Sequence, residues 1–185
     1  PETSLSKYLD KYRSPSCEIE YSDIEFKPDE GYESLINNSD VKSANIIFID
    51  SKLFENRNAI AGKFTGEEFK IILKKYFPFI EVIVITQNEI APGYETISKY
   101  NPKSGMTPEE YYDKELPVLL EKCVRNIFEV RKITSELQKN TSWEKVIVEK
   151  IVNSVNGQGK FDEFTKKDID DVIKMFQELQ IKVEG

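Results

Sequence analysis

Two apolar stretches decide the fold: Asn45-Ile46-Ile47-Phe48-Ile49-Asp50 (residues 45–50) and Ile80-Glu81-Val82-Ile83-Val84-Ile85-Thr86 (residues 80–86). Their β-branched and aromatic side chains predict two strands that are covered by helices on both faces, as in a parallel sheet. Between them, residues 69–76 place apolar side chains at helical spacing. The order strand, helix, strand predicts a βαβ unit with a right-handed crossover.

The segments that flank this unit are also patterned. Apolar residues at helical spacing predict a helix over residues 3–13, and partial alternation over residues 17–26 predicts a half-exposed strand. Residues 94–99 are predicted to form one more short strand. The predicted fold class is therefore α/β with a parallel sheet, and the α/β domain is predicted to span residues 1–130.

A helical extension is predicted to follow over residues 131–185. A long helix begins at Thr107-Pro108-Glu109-Glu110, where a capping threonine precedes a proline and a capping-box glutamate. Its apolar residues recur by fours and threes, and this heptad stripe consists of Leu116, Leu120, Cys123, Ile127, Val130, Thr134 and Leu137. The stripe is typical both of the inner face of a packed helix and of a homodimer interface through helix 108–138. Two further capped helices are predicted from Thr141 and Thr165.

Charge and composition exclude several classes of function. The 185 residues include 26 Lys+Arg against 33 Asp+Glu, a net charge of −7, and no His. Without histidine there is no Ser-His-Asp or Cys-His nucleophile pair and no His-ligated zinc or haem. The acidic balance argues against a nucleic-acid partner, because phosphate binding needs a basic surface. Carboxylate, lysine, hydroxyl and thiol chemistry remains.

The same composition predicts a cytoplasmic protein. The chain has no apolar run of about 18 residues, so no membrane-spanning helix is expected. Its first residues lack the pattern of a signal peptide. Cys17 and Cys123 lie far apart and form no CxxC pair, which is typical of reduced thiols in the cytosol.

A polar residue stands at the end of each of the three predicted strands. Asp50 ends the first strand, Thr86 ends the second, and Lys99 ends the third predicted strand. In open α/β sheets, ligands and reactive groups lie at the carboxyl ends of the strands. Asp and Thr are also typical of turns and helix caps, so Asp50 or Thr86 taken alone is better explained by chain geometry than by function.

Together, these three residues resemble the site of the response-regulator receiver domain. By that resemblance Asp50 is the phosphoaccepting aspartate, Thr86 the switch hydroxyl and Lys99 the lysine that pairs with the phosphoryl group. Two further stretches are similar to the family: Gly66-Glu67-Glu68-Phe69 resembles the start of its third helix, and Tyr76-Phe77-Pro78 resembles the segment before its fourth strand. The resemblance extends over about the first 130 residues.

The resemblance implies a three-layer, flavodoxin-like parallel sheet and a role in signal transduction without enzymatic turnover. It implies Mg²⁺ held by Asp50 and by the backbone carbonyl of Lys52, but only if an acidic pair is supplied. The implied partner is a protein, either a histidine kinase or a downstream effector.

The chain departs from the family pattern at three points, one of which is a long loop after Asp50 that is expected to crowd or cover the phosphorylation site. The family's acidic pair ends a strand before the first helix, whereas here Pro1-Glu2 resembles the residues that follow that pair, so the first strand is expected to be missing. Only 13 positions separate Thr86 from Lys99 (99 − 86), which leaves little room for the usual fourth helix. These departures favour a degenerate, protein-binding version over an active phosphoacceptor.

Two other classes of function stay open. The first is a phosphatase-like enzyme with Asp50 as nucleophile, although such an enzyme would have a second acid where this chain has Lys52. The second is an adaptor that acts through its C-terminal helices.

Overall fold

The computed structural model describes residues 3–26, 31–54, 65–87, 96–139 and 145–158, and beyond these ranges Lys174 alone. Within this part of the chain there are six α-helices, three strands and one 3₁₀-helix. The helices are α1 (Ser4–Lys11), α2 (Glu33–Asn37), α3 (Ser39–Ser43), α4 (Gly66–Tyr76), α5 (Pro108–Lys139) and α6 (Lys145–Val155). The strands are β1 (Ile46–Asp50), β2 (Glu81–Thr86) and β3 (Thr96–Ser98), and the 3₁₀-helix is Pro102–Ser104.

The three strands form a parallel sheet in the order β1-β2-β3. Ile46 pairs with Glu81 and Asp50 with Ile85, so β1 and β2 run together along the whole of β1. β3 pairs with the second half of β2, from Val84↔Thr96 to Thr86↔Ser98. The predicted α/β fold class and the predicted strand–helix–strand unit are confirmed.

Alternate side chains of β2 enter two separate hydrophobic clusters. Val82 packs in the first cluster with buried residues of α2, α3 and α4, whereas Ile83 and Ile85 pack in the second with buried residues of α1 and α5. Val82, Ile83 and Val84 have 0% exposure. Full burial of such a side chain stabilises the fold by about 1.5–3 kcal/mol, so β2 anchors both clusters.

β1 is less buried than its apolar sequence predicts. Ile49 is buried, but Ile46, Ile47 and Phe48 are half-buried. The physical reason is the position of the strand, because β1 pairs only with β2 among the described residues and so lies at an edge of the sheet that they form. The sequence pattern does not distinguish an edge strand of a parallel sheet from a central one.

The strand predicted over residues 17–26 is wrong, because the structure gives this segment no strand. Tyr21 packs against the second cluster, whereas Phe26 packs against the first and contacts the Phe54 ring at 4.8 Å between centroids. The segment therefore passes from one cluster to the other. The partial alternation of its apolar residues reflects this crossing, not pairing along a strand.

The heptad stripe is largely the inner face of α5. Leu116, Leu120, Cys123 and Thr134 are buried, and the remaining three stripe residues are half-buried. The predicted domain boundary at residues 130/131 lies inside α5, which is continuous to Lys139. The helix predicted from Thr141 is α6, and the helix predicted from Thr165 lies outside the described residues apart from Lys174. None of the helices in the described part is long and apolar enough to cross a membrane.

α1 is attached to α5 by hydrogen bonds as well as by apolar packing. The Tyr8 hydroxyl donates to Asp113 Oδ1 at 2.9 Å, and the Tyr8 ring lies 5.5 Å from the Tyr112 ring. Burial, followed by the hydrogen bond to the Asp113 carboxylate, raises the pKa of Tyr8 well above its ordinary value. The phenol therefore stays neutral in the folded protein under conditions in which the unfolded chain ionises.

One carboxylate of α5 holds the segment after α1. The hydroxyls of Ser14 and Ser16 each donate to Glu121 at 2.6 Å, and the Tyr12 hydroxyl donates to the same side chain at 3.3 Å. The two serine hydrogen bonds lower the pKa of Glu121 because they favour the charged carboxylate. The end of α1 is thus fixed to α5 at neutral pH.

Replacement of Tyr8 by Phe tests the attachment of α1. Loss of the hydrogen bond to Asp113 is expected to lower the free energy of unfolding by about 0.5–1.5 kcal/mol at neutral pH. Because the pKa of Tyr8 is raised in the fold, its contribution is complete below about pH 10, the unfolded value, and is lost as the pH rises through the folded pKa. Urea unfolding at neutral pH and at several values above it measures both effects.

Tyr100→Phe is the matched control, since the Tyr100 hydroxyl donates to the Met106 carbonyl at the exposed surface. We expect Tyr8→Phe to be less sensitive to alkaline pH than the parent protein, and Tyr100→Phe to follow the parent. Equal stabilities and equal pH profiles for both variants would contradict the proposed contribution of Tyr8.

Candidate functional site

The three residues singled out in the sequence lie at the same edge of the sheet. Asp50 is the last residue of β1, Thr86 is the last residue of β2, and Lys99 directly follows β3. The parallel register brings the carboxyl ends of these strands together. Most of the short stretch between Thr86 and Lys99, residues 88–95, lies outside the described residues.

Asp50 and Lys99 form an ion pair across the end of the sheet. Lys99 Nζ donates to Asp50 Oδ2 at 2.8 Å, and each side chain is 40% exposed. The second carboxylate oxygen, Oδ1, accepts a hydrogen bond from the Lys52 backbone N–H at 3.0 Å. Asp50 is therefore a charged, oriented carboxylate that a molecule in solution can approach, with a cation at hydrogen-bonding distance.

Thr86 is buried beside the exposed ion pair. Its hydroxyl oxygen accepts a hydrogen bond from Ser51 Oγ at 3.2 Å, and the two residues are only 3% and 4% exposed. In this structure the Thr86 hydroxyl thus lies against Ser51, the residue that directly follows Asp50.

The backbone around Ser51 is fixed by neighbouring elements. Its N–H donates to the Ile85 carbonyl at 2.8 Å, which continues the β1–β2 pairing by one residue. Its carbonyl accepts from the Gly66 N–H at 2.9 Å, at the start of α4. A Cβ atom at Gly66 would lie 2.5 Å from the Asp50 carbonyl oxygen and 2.8 Å from Ser51 Cα, so only glycine permits this approach.

Lys99 is placed by β2 and, through the preceding residue, by α5. Its backbone N–H donates to the Thr86 carbonyl at 2.7 Å. The carbonyl of Ser98 accepts from the Tyr111 hydroxyl on α5 at 2.7 Å. Burial raises the pKa of Tyr111, so the hydroxyl keeps the proton that it donates to this carbonyl.

The described residues do not by themselves form a Mg²⁺ site. Mg²⁺ prefers octahedral oxygen ligands that include one or two carboxylates. Across the part of the chain that the structure describes, no three Cys, Asp or Glu side chains are grouped in a way that could hold a metal ion. Of the predicted ligands, Asp50 supplies one carboxylate, already paired with Lys99, and Lys52 supplies a backbone carbonyl.

Two residues of this region were missed by the sequence analysis. Ser51 contacts Thr86, and Tyr111 contacts the residue before Lys99. The position of Ser51 directly after a candidate aspartate was a usable signal, but its contact with Thr86 follows from the β1–β2 register. Tyr111 had no local signal, because it belongs to another element of the fold.

Gly66→Ala tests the close approach of α4 to β1. In an isolated helix this change would stabilise by up to about 1 kcal/mol. Here the added methyl group meets backbone atoms that cannot turn away, so we expect a loss of about 1–3 kcal/mol in the free energy of unfolding. Ile71→Ala, at a half-exposed position of the same helix, is the control and is expected to change stability much less. A more stable Gly66→Ala protein would contradict this packing.

Lys99→Met tests the ion pair. Because both side chains are partly exposed, we expect its removal to lower the free energy of unfolding by no more than about 1 kcal/mol. High salt screens exposed charges, so the difference from the parent protein is expected to shrink as NaCl is added. Urea unfolding at low and high salt measures this, with Lys103→Met as the exposed-lysine control. A difference that does not depend on salt would exclude an electrostatic contribution.

No protein-family model, no curated protein and no solved structure matches this chain. The residues of the chain itself and the geometry of the Asp50–Lys99 edge are therefore the basis for its proposed function.

Proposed function

We propose that this protein is a receiver-like signalling module in which Asp50 accepts a phosphoryl group. The observation that supports this most directly is the ion pair between Asp50 and Lys99, which joins the ends of β1 and β3 across β2. The proposal includes a flavodoxin-like, three-layer arrangement around the sheet. It also includes a cytoplasmic location, where Cys17 and Cys123, neither of which forms a disulfide in the structure, stay reduced.

The chemistry follows from the charges at the site. A carboxylate oxygen of Asp50 attacks the phosphorus of a phosphorylated donor, the bond from phosphorus to the donor breaks, and the bonding electron pair leaves with the donor. The ammonium group of Lys99 is close enough to neutralise the phosphoryl oxygens that arrive. Thr86 is the hydroxyl that reports the new group, since it ends the strand between the two charged residues.

The partner is proposed to be another protein. A histidine kinase would act as the phosphoryl donor, or a downstream effector would bind the changed surface. The net charge of −7 does not favour a nucleic-acid partner.

A second candidate is a degenerate version that binds a protein partner without phosphoryl transfer. The observation that favours it is the state of Asp50, whose two oxygens are already bonded to Lys99 and to the Lys52 N–H. In this version the ion pair holds the strand ends together, and a partner binds elsewhere, for example at the helical extension. α6 exposes Val146 and Ile147, which are 63% and 43% accessible.

The remaining alternatives have less support from the described residues. A homodimer through helix 108–138 stays a prediction, but much of its heptad stripe is packed inside the chain, so an interface there would use other residues of α5. A phosphatase-like enzyme would need a second acid near Asp50. The residue two positions on is Lys52, whose backbone N–H is bonded to the Asp50 carboxylate.

Beryllofluoride, a mimic of the phosphoryl group, tests the proposal on the full chain. We expect saturable changes in the amide NMR signals of Asp50, Thr86 and Lys99 when it is added with millimolar Mg²⁺. The mimic attaches to the carboxylate, so the changes are expected to be absent in Asp50→Asn. This variant keeps the size of the side chain, and an exposed ion pair contributes little to stability.

Asp23→Asn is a matched control, because Asp23 is an exposed aspartate whose carboxylate accepts from the Ser6 hydroxyl at 3.1 Å, away from the proposed chemistry. Its response should equal that of the parent protein. An unchanged parent spectrum would refute the phosphoacceptor function and leave the degenerate version as the better explanation.

A further inference from the structure

Two hydroxyl groups are buried together beneath the exposed ion pair. Ser51 Oγ donates to Thr86 Oγ1 at 3.2 Å, and neither residue has more than 4% exposure. Buried polar groups are costly to leave unpaired, so this hydrogen bond is a constraint on the direction of both side chains.

Ser51 cannot easily follow Thr86 if the threonine turns. The Ser51 backbone is bonded on one side to the Ile85 carbonyl and on the other to the Gly66 N–H. The Cα of Ser51 would lie only 2.8 Å from a Cβ atom at Gly66, which shows how closely α4 is packed there. The Ser51 Cα is therefore held in place, which limits how far its hydroxyl can move with Thr86.

From this geometry we propose that Ser51 is a positioning residue that holds Thr86 in its resting rotamer and thereby opposes the response to a phosphoryl group on Asp50. The second half of the proposal rests on the proposed phosphoacceptor function. It names a regulatory residue of that site, adjacent in sequence to the phosphoacceptor.

The opposition has a simple physical cause. For the Thr86 hydroxyl to reach a phosphoryl group, its oxygen must leave Ser51. The Ser51 hydroxyl then remains buried without its acceptor, and the change must offset that cost. Removal of the Ser51 hydroxyl removes this cost, so Thr86 should turn more easily.

The first test measures the Thr86 rotamer without any phosphoryl mimic. Three-bond couplings to the Thr86 methyl carbon report the χ1 angle, and we expect one dominant rotamer in the parent protein and a larger share of a second rotamer in Ser51→Ala. Ser51→Thr restores a hydroxyl and should restore the dominant rotamer. Ser98→Ala is the matched control, because Ser98 stands opposite Thr86 on the other neighbouring strand. Unchanged rotamer shares in Ser51→Ala would overturn the positioning role.

The second test measures the response to beryllofluoride. If Ser51 opposes the movement of Thr86, Ser51→Ala should reach half-saturation at a concentration about 2- to 10-fold lower than the parent protein, in line with the loss of one buried hydrogen bond. Ser51→Thr and Ser98→Ala should stay close to the parent. An equal or higher half-saturating concentration in Ser51→Ala would contradict the regulatory role.

The two experiments separate the two proposals. A parent protein that does not respond to beryllofluoride contradicts the phosphoacceptor function, and with it the regulatory role of Ser51. The rotamer measurement still decides whether Ser51 positions Thr86. A parent that responds while Ser51→Ala behaves identically supports the function and overturns the role of Ser51.

Discussion

The pairing of β2 (Glu81–Thr86) on both of its edges is the constraint on which the rest of the structure depends. Val82, Ile83 and Val84 have no exposure, so the strand is held by both hydrophobic clusters as well as by two ladders of hydrogen bonds. Neighbouring strands lie about 4.8 Å apart, which puts β1 and β3 about 10 Å from each other. The long side chain of Lys99 spans that distance to Asp50, so the ion pair exists because β2 fixes the spacing.

The polar groups at the carboxyl edge are arranged in two levels. Asp50 and Lys99 are partly exposed, whereas Ser51 and Thr86 are buried, and the Ser51 hydroxyl donates to the Thr86 hydroxyl. The exposed ion pair is accessible to a charged molecule in solution. The Ser51 carbonyl accepts a hydrogen bond from the first residue of α4. On the other side, the Ser98 carbonyl accepts one from the Tyr111 hydroxyl on α5. The carboxyl edge of the sheet is thus joined by hydrogen bonds to both helices.

The sequence predicted the regular elements of the sheet well and its surroundings less well. β1, α4 and β2 were predictable because their apolar patterns are local, and the structure places each within a few residues of its predicted range. The segment over residues 17–26 was not, since its apolar residues serve two clusters and no strand. The heptad stripe of α5 was ambiguous for a similar reason, because the same spacing suits an inner face and an external interface.

The sequence by itself determined which chemical groups stand at the ends of the strands. A carboxylate, a hydroxyl and a lysine follow three β-type segments, and the absence of histidine removes the main competing chemistries. Only the tertiary structure decided that Lys99 bonds to Asp50, that Thr86 lies against Ser51 and that Gly66 must lack a side chain. The reason is physical, since each of these contacts joins residues that are far apart along the chain. Their distances depend on strand register and helix packing, which no local pattern encodes.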